Sequence, residues 1–107
     1  MADGIKSFNL TPRGKRDLHS IWNYTYRVWG EKQADKYVSA LYHRFEWLAE
    51  QPTIGKSRPD IKTGYYCYLQ GSHVIFYTLN QNSINIIGVP HKSMDIISYF
   101  TTRPSKR

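Results

Sequence analysis

The sequence predicts an α+β domain in which an N-terminal strand and an antiparallel helical hairpin pack on an antiparallel sheet, in the order β-α-α-β-β-β with a short C-terminal helix. Three observations predict it. Two amphipathic stripes of helical period adjoin, with a single glycine between them. Three short apolar runs, separated by turn-forming tripeptides, fill the second half. The chain has 107 residues, one domain's worth of core, with no internal repeat or linker.

The first strand spans Lys6 to Leu10, where Phe8 and Leu10 alternate with Ser7 and Asn9. Thr11-Pro12 ends it, because Thr caps a helix well and Pro suits the first helical position. Leu18, Ile21, Trp22, Thr25, Val28 and Trp29 then form one stripe, and Gly30 allows the helix to stop. A second stripe, Ala34, Tyr37, Val38, Leu41, Phe45, Leu48 and Ala49, closes at Pro52. Residues 51–64 read as loop, punctuated by Pro and Gly. Strands are expected from Tyr65 to Leu69, His73 to Leu79 and Ser83 to Val89, with Pro90 ending the ladder. Both faces of the middle strand are largely apolar, so one is expected to pack on the hairpin and the other to be at least partly covered. Ser93 is expected to cap a last helix with Ile96, Ile97 and Phe100 on one face. Residues 101–107 read as a mobile basic tail of a single 1–107 domain.

Charge and aromatic content bound the function. Fifteen Lys+Arg against 8 Asp+Glu give +7, and 15% of the residues are aromatic. That balance points to nucleic acid, an acidic partner or a large protein-binding face. One cysteine, Cys67, excludes a disulfide framework and Cys-rich zinc modules. No apolar run approaches the ~20 residues that span a bilayer, and the N-terminus lacks the form of a signal peptide, so a soluble cytoplasmic domain is expected.

Catalytic chemistry finds little support. His19, His43, His73 and His91 show no metal-ligand spacing, and Cys67 sits alone in an apolar run. Nucleophile-elbow, phosphate-loop and dinucleotide motifs are absent from the sequence. No cofactor or metal is implied. A metal-independent ribonuclease using His73, His91, Lys92 and Tyr77 is the serious enzymatic alternative. Trp22, Trp29, Phe45 and Phe76 lie on core stripes. Tyr24, Tyr26, Tyr42, Trp47 and the run Tyr65-Tyr66-Cys67-Tyr68 are harder to bury together, and Tyr and Trp beside Arg read as a protein-docking face.

Four motifs, in order and spacing, carry a resemblance over most of the chain, from about Phe8 to Phe100. They are Leu10-Thr11-Pro12-Arg13 into Asp17-Leu18 and Ile21-Trp22; Trp29-Gly30-Glu31 with Ala34; the stretch from Phe45 to Gly55; and Gly71 to Tyr77 followed by His91-Lys92-Ser93-Met94-Asp95. In these the chain resembles the ParE toxins of the RelE/ParE superfamily of type II toxin–antitoxin modules. The resemblance implies a cytoplasmic toxin that binds DNA gyrase, stabilises its cleaved-DNA state and blocks replication. It further implies neutralisation by a ParD-like antitoxin, autoregulation of the operon, and no catalysis by the toxin itself. RelE-type relatives instead cut mRNA on the ribosome. Tyr66 stands where the family often has Arg, which weakens the transition-state stabilisation that cleavage needs. Pro90 replaces the usual aliphatic residue before His91.

On this reading the gyrase-facing surface is expected at His91, Lys92, Arg103, Lys106 and Arg107, held by Met94 and Asp95. The antitoxin face is expected at Tyr24, Tyr26, Tyr42 and the strand edge near His73. Direct nucleic-acid binding by the toxin alone ranks second to protein docking.

Overall fold

A computed structural model describes residues 7–101. The element order is β1 (Ser7–Leu10), α1 (Pro12–Trp29), α2 (Glu31–Glu50), β2 (Lys56–Ser57), β3 (Tyr66–Gln70), β4 (His73–Leu79), β5 (Ser83–Gly88) and α3 (Ile96–Thr101). The predicted basic tail lies outside the described residues, apart from Thr101, the last residue of α3.

Local signals set the hairpin as expected. Thr11 Oγ1 accepts the Gly14 amide at 3.1 Å, with Pro12 at the first helical position. Gly30 has φ 95°, a left-handed conformation that favours glycine, and it both ends α1 and begins α2. Leu18, Ile21, Leu41, Phe45, Leu48 and Ala49 meet Ile75, Tyr77, Ile84, Ile86 and Val89 in one core.

The α+β arrangement is the predicted one, with two amendments to the sheet. Its order is β1-β5-β4-β3-β2, and β1 runs parallel to β5, so the sheet is mixed rather than wholly antiparallel. Side-chain pattern fixes the register. Phe8 lies opposite Ile84 and Leu10 opposite Ile86, while Asn9 donates to Asn85 Oδ1 at 3.2 Å. A one-residue slip would set Phe8 against Asn85 and turn the apolar set outward.

The predicted loop also holds a short strand. Lys56 and Ser57 pair with Cys67 and Tyr66, and the Tyr77 hydroxyl anchors the preceding turn. It donates to Pro52 O at 2.8 Å and accepts the Gly55 amide at 3.1 Å. Burial raises the phenol's pKa, keeping it a donor. Tyr77→Phe is expected to cost about 1–2 kcal/mol by stranding the Gly55 amide and the Pro52 carbonyl. Urea denaturation measures that loss, and faster hydrogen exchange at Gly55 localises it.

The sheet's second face is covered by α3, through Phe100 against Phe76 at 5.0 Å between ring centroids. Asp95, not Ser93, caps this helix: its Oδ1 accepts the Ile97 and Ser98 amides at 3.2 and 3.4 Å. Ser93 is instead engaged by His91. Of the face expected from helical period, Ile96 and Phe100 are half-buried but Ile97 is exposed, and Tyr99 is half-buried in its stead.

Two of the four aromatics assigned to the core belong elsewhere. Phe45 and Phe76 are fully buried. Trp22 is half-buried, donates its indole N–H to Asp35 Oδ1 at 2.9 Å and stacks on Tyr26. Trp29 is 69% exposed, because Thr25 is the last buried position of α1 and the final turn stands in solvent. By contrast, much of the tyrosine run finds ring partners: Tyr65 on Phe100, Tyr66 on Tyr77, and Tyr68 on Trp47. Among the described residues no helix is long and apolar enough to cross a membrane.

Candidate functional site

A cleft of about 630 Å³ opens between α1, the start of α2, the first residue of β4 and the chain leaving β5. It gathers Tyr24 and His73, expected on one functional surface, with His91 and Met94, expected on another. Its floor includes Ile21, Thr25, Val89 and Pro90, all buried.

Backbone pairing builds the far wall. The Val74 amide donates to Pro90 O at 2.9 Å, and the Lys92 amide donates to Ser72 O at 2.8 Å. These bonds set His73 across from His91, with ring centroids 5.3 Å apart. His73 Nδ1 shares a 2.7 Å hydrogen bond with the Tyr37 hydroxyl, which also accepts the Ser72 amide at 3.0 Å. His91 Nδ1 accepts the Ser93 amide at 3.1 Å, so the neutral ring carries its proton on Nε2.

Burial lowers the His73 pKa to about 4, helped by the neighbouring His91 and opposed by Asp17. The unfolded ring takes up a proton near 6.5 and the folded ring resists it. The His73 contribution to stability is therefore full above that pH and is lost as pH falls toward 4. We expect about 1–2 kcal/mol from this group, after discounting for its partial exposure. Urea denaturation at pH 7.5 and 4.5 tests it: the loss on acidification should shrink in His73→Gln, whose side chain cannot titrate.

Asp17 joins the cleft to α3. Its Oδ2 accepts the Val89 amide at 2.7 Å and a short hydrogen bond from the Tyr99 hydroxyl. Burial, then the bond to Asp17 and its charge, push the Tyr99 phenol upward, so it stays a donor. Arg13 donates to Tyr99 O at 2.7 Å and lies over the Tyr99 ring at 4.6 Å. A cation poorly placed for the helix dipole is thus used to dock α3.

The expected site residues divide in three. Tyr24, His73, His91 and Met94 line the cleft. Tyr26 and Tyr42 lie apart from it: Tyr26 stacks on Trp22, and Tyr42 lines a second, smaller groove with Trp22 and Asp35. Lys92 is exposed on the wall-forming turn and Asp95 caps α3, whereas Arg103, Lys106 and Arg107 lie outside the described residues. Sequence reasoning missed Asp17, Tyr37 and Tyr99 as site builders. Asp17 does stand out as the one acid among Arg13, Lys15 and Arg16.

The ribonuclease set assembles in part: His73 and His91 face each other with Lys92 next along the chain, and Tyr77 stands apart. Tyr77 is fully buried with its hydroxyl on Pro52 and Gly55, away from His91. No group of three or more His, Cys, Asp or Glu among the described residues is placed to hold a metal ion.

A model of the family described as "ParE toxin of type II toxin-antitoxin system, parDE" matches residues 8–96. The chain belongs to the ParE toxin family. Two relatives named Toxin ParE1 agree. One, from Caulobacter vibrioides, is 37% identical over 91 residues, spanning 85% of this chain and 94% of the relative. The other, from Mycobacterium tuberculosis, is 35% identical over 88 residues, spanning 81% and 90%. The fold matches a chain from the chromosomal ParDE toxin–antitoxin system of P. aeruginosa, with TM-score 0.69, 18% identity and coverage of 81% and 96%. It also matches a chain of the RelBE2 toxin–antitoxin complex of M. tuberculosis, with TM-score 0.59, 19% identity and coverage of 82% and 99%. In this ParE-family chain the motif residues Asp17, His73 and His91 all border the cleft.

Proposed function

We propose that this ParE-family protein is a cytoplasmic toxin that binds DNA gyrase, holds it in its cleaved-DNA state and is neutralised by a ParD-like antitoxin, with no catalytic step of its own. The observation that carries the reading is the family match over residues 8–96. The site supports docking over cleavage. Its floor is apolar, burial keeps His73 neutral, and Tyr77 is committed to the fold. A phosphodiester-cleaving centre needs converging cations and a positioned acid and base.

A supercoiling assay with purified gyrase tests the target. Loss of supercoiling with accumulation of cleaved DNA is expected, and intact supercoiling at excess toxin would sink the gyrase assignment. Primer extension on translated mRNA after induction tests the absence of catalysis. Uncut message is expected, and codon-specific cuts would overturn that part.

A further inference from the structure

Arg44, half-buried on α2, is held in place without being neutralised. Its Nε donates to Gln70 Oε1 at 2.8 Å, and its guanidinium lies 4.6 Å from the centre of the Trp47 ring and 5.2 Å from that of Tyr68. Trp47 and Tyr68 meet edge to face, which fixes the platform beneath the cation. Among the described residues no acceptor takes the Arg44 terminal nitrogens, the Trp47 indole N–H or the Tyr68 hydroxyl. None of these is a buried atom lacking a partner, so all of them face solvent. A stacked guanidinium with its outer fork free is shaped to take a carboxylate through paired hydrogen bonds.

The adjoining sheet edge is open. Gln70 faces His73 across the turn Gly71-Ser72, so alternation points the Leu69 backbone away from β4. Val74, opposite Leu69, is set outward in the same way and donates its amide to Pro90 O. β2 pairs only with Tyr66 and Cys67, which leaves the Leu69 amide and carbonyl without a strand partner. The Leu69 side chain is 57% exposed, on the face of the sheet opposite Tyr68, Gln70 and Arg44.

These features specify a ligand by its alternation. In a strand added at this edge, the residue opposite Leu69 would lie beside that exposed leucine and should be apolar. Its two neighbours would project beside Tyr68 and Gln70, on the Arg44 side, and should carry carboxylates. The chain's charge of +7 favours such a partner. Nucleic acid fits less well, because Arg44 already covers the rings on which bases would stack, and one fork does not make a track of phosphate contacts. We propose that the β3 edge beside Arg44 docks an extended acidic peptide, which pairs its backbone with Leu69 and sets a carboxylate on the Arg44 fork. Arg44, Trp47, Tyr68 and Leu69 do not line the cleft, so this is a separate site.

The test is a nuclear magnetic resonance titration of the isotope-labelled full chain with a short peptide alternating valine and glutamate, blocked at both ends. Saturable shifts of the Trp47 indole and Leu69 amide resonances are expected. Arg44→Gln should weaken binding about tenfold or more, as should replacing the glutamates of the peptide by glutamine. Arg44→Lys keeps the charge but not the fork and should recover only part of that loss. Comparing the two peptides on the wild-type chain decides the matter even if Arg44→Gln fails to fold. Absence of saturable shifts, or equal affinity for the glutamate and glutamine peptides, would overturn the site. Shifts at Tyr24 and Met94 in place of Trp47 and Leu69 would put the peptide in the cleft and equally overturn it. Tighter binding of a single-stranded oligonucleotide at Trp47 and Leu69 would give the cluster to nucleic acid instead.

Discussion

Asp17→Ala is expected to destabilise the protein by about 3 kcal/mol, the largest single effect among the substitutions considered. One carboxylate oxygen receives the Val89 amide and the Tyr99 hydroxyl, joining α1 to the end of β5 and to α3. Alanine leaves both donors part-buried and unpaired, each costing on the order of 1–3 kcal/mol. The loss should exceed the sum of neighbouring surface changes, because Arg13 grips the same tyrosine through its carbonyl and ring. Asp17→Asn keeps a carbonyl acceptor and should fall between alanine and wild type. Urea denaturation gives the stability and near-ultraviolet circular dichroism the packing of Tyr99. A change below about 0.5 kcal/mol for alanine would contradict the assigned role.

Gly14→Ala should destabilise by about 2 kcal/mol, although the same exchange in an exposed helix interior stabilises by about 1 kcal/mol. The cause is a close approach: a Cβ at Gly14 would lie 2.8 Å from Ile86 O. That carbonyl cannot easily retreat, since it accepts both the Thr11 amide and the Thr11 hydroxyl at 3.1 Å. Relief would break the cap that begins α1 or separate the helix from β5. Thermal denaturation decides the sign: a rise in Tm for Gly14→Ala would mean that the helix start lifts from the sheet without cost.

The legible features were local ones. Thr11-Pro12 and Gly30 act through their own backbone, so the ends of α1 and the start of α2 could be read from sequence. The alternation of Phe8 and Leu10 marked a strand but held no information about its partner, so the parallel pairing with β5 was not visible. Helical period placed Trp29 on the right stripe, yet nothing in it says where buried contacts end along the helix. At α3 the cap expected at Ser93 falls instead to Asp95, since Ser93 is engaged by His91 two residues before it. The cleft was the least legible feature. Tyr24, His73 and His91 converge through strand pairing and helix docking, neither of which leaves a local signal.

The parallel pairing of β1 with β5 also bears on when the molecule comes into being. Asn9 meets Asn85 across 76 residues, a contact that no chain ending before β5 can make. Translation delivers the helical hairpin early, and its local contacts let it form early. β1 must wait for β5, the Thr11 clasp must wait for Ile86, and Asp17 must wait for Val89 and Tyr99. Until then the cleft lacks its second wall. A nascent or prematurely terminated chain presents the aromatic rim of α1 but not the turn with His91 and Met94. Assembly of the sheet and of the cleft is therefore complete only once β5 and α3 have been made.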